Sequence, residues 1–308
     1  MIAYLISAYK DAAHLRRLID ALDVEADFYI HVDANVSDEP FRQALQGRRN
    51  VHFIPRLYVS WGGWVQVLYQ VEMLRAALAS GVAYSHFFCL SGQDFPLWSR
   101  ERLVQHLRQH PHHQFIGGMN LTRSGNSAQL RRIRDYHFFR DMRLRWWCNQ
   151  WLKYKFIVPS RWLFRLLPIK KPLQVSIDGR PCDIYYGSDY WALTADCARY
   201  VLDTFDRNPH IARYFQYSYV PSELCINTIV HNSPFAADIE RTELRPDHRR
   251  AMPLEEVTPL HLIDYKEAIH VFTLSDWEWL QRADKPFFRK AESGASDTLI
   301  QRIQNQEP

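Results

Sequence analysis

The sequence predicts an α/β fold: a mostly parallel central sheet flanked by helices. Two observations carry that reading. Short apolar runs alternate with amphipathic stretches through the first hundred residues, a rhythm that places helical crossovers between parallel strands. Two strand signals end at acidic residues, Asp33 and Asp94, and open α/β sheets bind ligands beyond the carboxyl ends of their strands. Ile2–Ser7 is the first strand. His14–Leu22 follows as a helix, with Leu15, Leu18, Ile19 and Leu22 on one face. Asp27–Val32 and Val51–Ile54 are further strands, Val65–Leu78 a long helix, and Ser85–Leu90 a strand ending in the turn Ser91-Gly92-Gln93-Asp94-Phe95-Pro96. Arg100–His110 is helical. The regularity lapses between Asn120 and Leu173, although Phe115–Gly117 and Asp183–Thr194 read as strand. Helices are expected at Ala195–Phe205 and from Pro221 onward, then a strand at Leu260–Ile263 and an acidic helix at Ser275–Arg282. No repeat, low-complexity tract or Gly/Ser linker divides the chain. The expected organisation is one domain over 1–295 with an insertion at about 131–172, and a frayed tail over 296–308.

Composition bounds the function. At 308 residues, 47% hydrophobic and 23% charged, the chain is an ordinary globular protein with room for a large core. Its ten Trp and sixteen Tyr suit sugar-stacking surfaces or membrane interfaces as well as a core. Five widely spaced cysteines with no Cys-x-x-Cys pair speak against a disulfide framework or a zinc knuckle, and for reduced thiols in a cytosolic protein. The N-terminal apolar run is too short to span a bilayer and has no basic flank. Neither Gly-x-Gly-x-x-Gly nor a P-loop is present, no Asp-x-Asp follows a strand, and no His/Asp group has metal spacing. No metal and no bound cofactor are therefore expected.

Several residues have two readings each. Pro221 and Ser222 suit a helix start, so Glu223 is either a dipole-matched carboxylate in a first turn or a general base. Trp61-Gly62-Gly63 before a helix is a structural turn or a sparse phosphate-binding turn. Asp33 and Asp94 are strand-end or Asx-turn residues, or ligand contacts. Arg289-Lys290 is a solvated pair or an anion clamp. Ser188, Tyr190 and Trp191 lie in a segment where aromatic residues serve the core or stack on a pyranose ring.

Taken together and in order, these blocks resemble one family. They are Tyr4–Tyr9, Tyr29-Ile30-His31-Val32-Asp33, Val59-Ser60-Trp61-Gly62-Gly63, and His86 with Leu90 through Leu97. Gly187-Ser188-Asp189-Tyr190-Trp191-Ala192-Leu193, Val220-Pro221-Ser222-Glu223, His231-Asn232-Ser233 and Pro286-Phe287-Phe288-Arg289-Lys290 complete the set. The chain resembles the core-2/I-branching β-1,6-N-acetylglucosaminyltransferases, which include protein xylosyltransferases, in the form of a compact bacterial-type member. The resemblance implies a GT-A-type nucleotide-diphospho-sugar transferase fold and an inverting, metal-independent transfer from a UDP-sugar. GlcNAc is the first expectation for the sugar and xylose the second. It implies Glu223 as the base, Arg289 and Lys290 on the diphosphate, and Asp33 on the uridine. Asp94, Trp61 and Gly62 would lie on the donor side, with Ser188, Tyr190 and Trp191 facing the acceptor. Ala291 replaces a more usual Phe. A second basic diphosphate contact stays unplaced, with Arg241, Arg245, Arg249 and Arg250 all qualifying. Animal members carry a membrane anchor and disulfides that this sequence does not show.

Between Arg131 and Lys171 stand twelve Lys/Arg against two Asp, interleaved with Trp, Tyr, Phe and Leu. On a helix this gives a basic face and an aromatic one, suited to an anionic membrane surface through 140–171, or to packing on the domain with the cations in water. Nucleic acid is not expected as a partner, because no recognised module accompanies the charge. The partners expected are a UDP-sugar donor and a glycan or lipid-linked glycan acceptor, in the cytoplasm or on the inner membrane surface. The rival reading is a non-catalytic carbohydrate- or membrane-binding protein on a degenerate scaffold.

Overall fold

The computed structural model describes residues 1–125, 127–138, 140–141, 155, 159–160, 163–164, 169–241, 258–265 and 268–305. In chain order the strands are β1 Ile2–Ala8, β2 Ala26–Val32, β3 Val51–Phe53, β4 His86–Ser91, β5 Asp94–Pro96, β6 Gln114–Asn120 and β7 Gln174–Ile177. They continue as β8 Arg180–Asp183, β9 Tyr185–Gly187, β10 Ala192–Thr194, β11 Ile239–Arg241, β12 His261–Ile263 and β13 Phe287–Arg289. The helices are α1 Ala12–Leu22, α2 Glu39–Ala44, α3 Val65–Ala79, α4 Arg100–Gln109, α5 Ser127–Arg134 and α6 Ala195–Arg207. After them come α7 Pro209–Phe215, α8 Cys225–His231, α9 Trp277–Arg282 and α10 Asp297–Gln304.

An eight-stranded sheet runs β11-β6-β10-β4-β1-β2-β3, with β9 on β6. Strands β4, β1, β2 and β3 are mutually parallel, whereas β10 enters antiparallel between β4 and β6. β1 and β2 are buried on both faces because helices cover both sides of the sheet. One face packs α1 and α4 through Leu15, Leu18, Ile19, Leu103 and Leu107. The other packs α3, α6 and α8 through Val67, Met73, Leu74, Val201, Ile226 and Ile229. A second, three-stranded sheet, β12-β13-β5, carries the C-terminal residues.

Apart from α2, which was not expected, the sheet and helices of the first hundred residues follow the sequence expectation; four further features depart from it. The turn 91–96 includes strand β5, which pairs with β13. No α-helix begins at Pro221: Val220 adopts a left-handed conformation (φ 47°), Pro221–Glu223 forms a 3₁₀ turn, and α8 starts only at Cys225. The tail is not frayed through Gln304. Leu299, Ile300 and Ile303 fall on one face of α10 and are buried against Phe272, Phe288 and Leu280, so three well-placed apolar residues suffice where overall composition is polar. Finally, the basic segment does not form one outward surface at its described ends. Arg132, Arg140 and Lys171 all turn inward, and Lys171 Nζ donates to Ser218 Oγ (2.6 Å) beneath the Tyr214 ring. The greater part of the 140–171 stretch read as membrane-facing lies outside the described residues.

Candidate active site

The carboxyl ends of β1, β2 and β4 are stitched together by backbone bonds. Asp33 N donates to Ala8 O (2.9 Å) and Gly92 N to Ser7 O (2.8 Å), which brings Tyr9, Lys10, Asp33 and the 91–94 turn to one end of the sheet. Asp33 uses Oδ1 to hold its own loop, accepting from Asn35 N and Nδ2 (both 2.9 Å) and from Val59 N (3.0 Å). The strand-end aspartate thus fixes the path of the 58–64 loop.

In that loop Gly62 has φ 69°, and a Cβ there would press on the Arg140 guanidinium at 3.1 Å and on Val220 at 3.4 Å. A Cβ on Gly63 would overlap the Asp141 carboxylate, which accepts from Trp64 N at 2.6 Å. Arg140 Nη1 donates to Trp61 O (2.8 Å), and its guanidinium lies over the rings of Trp61 (5.3 Å) and Tyr219 (5.6 Å). The Trp-Gly-Gly turn is therefore where the start of the insertion meets the Val220-Pro221-Ser222-Glu223 segment. Trp61 is 58% exposed, an aromatic face open to a ligand.

Glu223 follows Val220, whose left-handed backbone turns the chain ahead of α8. Its side chain is 15% exposed, and Oε2 makes no hydrogen bond among the described residues. Arg132 Nη2 approaches that oxygen at 3.7 Å, an ion pair but beyond hydrogen-bond distance. The Arg132 guanidinium is seated between the rings of Tyr186 (4.4 Å) and Tyr219 (5.3 Å). Burial pushes the Glu223 carboxyl up, to about 8; Arg132 opposes the rise, and the neighbouring charge of Asp189 adds to it. Asp189 is likewise pushed up by burial, while Ser222 and Arg289 pull the other way. Asp189 feels the charges of both Glu223 and Arg289, and so lies electrostatically between the two ends of the site.

Arg289, the last residue of β13, and Lys290, which follows it, differ. Arg289 is buried, with Nη1 bonded to Asp94 Oδ1 at 3.0 Å and its guanidinium 5.1 Å from the Tyr190 ring. Asp94 is fully buried and also accepts from Ser91 N (2.7 Å) and His261 Nε2 (3.0 Å). Burial would raise its carboxyl, but His261, Arg289 and the Ser91 amide together hold it below the ordinary range. Lys290, half-buried just beyond the end of that strand, makes no side-chain hydrogen bond or ion pair among the described residues. Burial and the charges of Arg289 and Lys10 lower its pKa.

Of the residues expected on the acceptor side, Tyr190 is half-buried between His261 (4.7 Å) and Arg289. Ser188 Oγ is buried and accepts from Tyr190 N (3.1 Å). Trp191 is 0% exposed inside the core, so its ring has no free face for a sugar. Arg245, Arg249 and Arg250, and the side chain of Arg241, lie outside the described residues. Among those described, no three His, Cys, Asp or Glu side chains come together to hold a metal ion. Nor is any helix among the described residues long and apolar enough to cross a membrane. Concavity alone does not mark the site, since clefts lined by Leu274, Trp277 and Arg302 and by Asp20, Phe95 and Arg100 lie elsewhere.

Reading the sequence did not single out Asp189, Arg132 or Lys10. Asp189 stands inside a block chosen for its aromatics, and Arg132 was one cation among twelve. Lys10 directly follows Tyr9 at the end of the first strand block, a signal that was available.

With this geometry in place, relatives can be compared. Residues 2–285 match the profile of the Core-2/I-Branching enzyme family, and the chain belongs to that family. Xylosyltransferase 2 of Homo sapiens is 26% identical over 313 residues, covering 97% of this chain and 33% of that protein. Xylosyltransferase oxt of Drosophila melanogaster is 22% identical over 316 residues, covering 98% and 33%. A Danio rerio beta-1,3-galactosyl-O-glycosyl-glycoprotein beta-1,6-N-acetylglucosaminyltransferase 4 is 22% identical over 208 residues, covering 66% and 43%. The chain thus spans about a third of the length of the xylosyltransferases it matches.

Proposed function

We propose that the chain is an inverting glycosyltransferase that moves a sugar from a UDP-sugar to a hydroxyl of a glycan or glycoconjugate. The observation that carries this is the state of Glu223: a nearly buried carboxyl with one oxygen that has no hydrogen-bond donor among the described residues, and its pKa pushed up to about 8. A carboxylate of that basicity is matched to proton abstraction near neutral pH. It takes the proton of the acceptor hydroxyl as that oxygen bonds to the anomeric carbon. The bond from the anomeric carbon to the phosphate oxygen breaks, and UDP leaves with the electron pair. Lys290, whose ammonium has no direct ion pair among the described residues, meets the charge that develops on the diphosphate, while Arg289 holds β13 in place through Asp94. The uridine lies toward Asp33. Family membership supports GlcNAc or xylose as the sugar, since relatives of both names match this chain. No metal is required in this scheme.

Thermal unfolding with UDP, repeated in excess EDTA, tests the reading. UDP at a hundred times its dissociation constant adds about 2.7 kcal/mol of stability, and the expected midpoint shift is the same with EDTA. A shift that EDTA abolishes would mean a metal meets the diphosphate. Absence of any shift would favour a non-catalytic scaffold.

A further inference from the structure

The turn Ser91-Gly92-Gln93-Asp94 organises two charged pairs at once. Asp94 neutralises Arg289, as described. Gln93, 1% exposed, has a second partner set. Its Oε1 accepts the Tyr9 hydroxyl (2.7 Å), its carbonyl accepts Ala291 N (2.8 Å), and its Nε2 donates to Glu292 Oε1 (2.9 Å). That same Glu292 oxygen accepts Lys10 Nζ at 2.7 Å. Lys290 lies in the field of this group, repelled by Lys10 and attracted by Glu292. With Asp94 committed to Arg289, two lysines share a single carboxylate, and the side chain of Lys290 has no direct partner among the described residues.

We propose that Glu292 is a resident counter-ion which the donor's diphosphate displaces, freeing Lys10 to become, beside Lys290, the second cation on the leaving group. The inference rests on the transferase reading of this site and adds to it a residue and an exchange of partners. The side chains of Lys10 and Glu292 are 40% and 29% exposed, so their pair is weak and opens at little cost. A diphosphate offers Lys10 more charge than one carboxylate does. Glu292 is not orphaned when Lys10 leaves, because Gln93 still donates to it. Repulsion between Glu292 and the bound diphosphate would then speed release of UDP.

Calorimetric titration of the full chain with UDP, and separately with inorganic pyrophosphate, tests the exchange. Lys10→Ala should weaken both ligands about tenfold, the loss expected for one charge-assisted contact. Glu292→Gln should tighten both about two- to fivefold, the worth of an exposed pair. In the Lys10→Ala background most of the Glu292→Gln gain should disappear, since the two act as one unit. Unchanged or weaker binding in Glu292→Gln, or unchanged binding in folded Lys10→Ala, overturns the proposal. If the wild type binds pyrophosphate but not UDP, the transferase reading fails while the cation pair stands and is still tested by the variants. Failure of the wild type to bind either ligand overturns both.

Discussion

Glu223 and Asp94 are carboxylates in comparably dry surroundings, yet the protein drives them in opposite directions. Asp94 is gripped by an arginine, a histidine and a backbone amide, all at 3.0 Å or less, and stays ionised below the usual range. Glu223 has one cation at 3.7 Å, too far for a hydrogen bond, and a second carboxylate nearby. Burial dominates there, and the pKa rises to about 8. The number of donors aimed at the ionised form decides the outcome, because burial penalises both groups alike. A carboxylate with all its partners is a fastener; one with too few is a base in waiting. The same contrast separates Arg289 from Lys290, adjacent in sequence but locked and free respectively.

The largest effect should come from breaking the fastener. Arg289→Met removes a cation from a fully buried aspartate, and loss of one partner of a buried pair costs about 3–5 kcal/mol. A lower thermal midpoint should therefore accompany any loss of UDP binding. A variant of wild-type stability would show that His261 and Ser91 suffice. A smaller effect should sharpen the other half of the contrast. Arg132→Met removes the cation that, among the described residues, is placed against Glu223, so its carboxyl should rise further. The base acts when ionised, so kcat/KM in the wild type should climb as pH increases through about 8. In Arg132→Met that rise should move up by about one pH unit, with turnover near pH 7 roughly tenfold lower and recovering in alkali. An equal loss at every pH would make Arg132 a packing residue instead. The pH–rate profile distinguishes the two.

Much of this contrast is invisible along the chain. The α/β alternation was legible because strands and helices of the first hundred residues write their own periodicity. Pro221 and Ser222 alone left Glu223 open between a capping carboxylate and a base, the family resemblance made it the candidate base, and the expected first turn of a helix proved to be a 3₁₀ turn after Val220. The pKa of Glu223 was not legible, since it depends on Asp189 and Arg132, which only folding brings near. The division of labour between Arg289 and Lys290 was hidden likewise, because the Asp94 that separates them lies 195 residues from Arg289. Trp191 looked equally fit for core or sugar, and only the sheet's packing decides for the core. The tail was misjudged from average composition, where three apolar positions on one face were the informative signal.

In the proposed reaction the carboxylate end performs proton transfer and the cationic end holds UDP. Turnover of a UDP-sugar and the affinity for UDP, measured together in Glu223→Gln, test this division directly. The prediction is turnover reduced at least about a hundredfold with UDP affinity unchanged. Turnover near the wild-type rate would place the base elsewhere, and a parallel loss of UDP affinity would show that the two ends do not work separately.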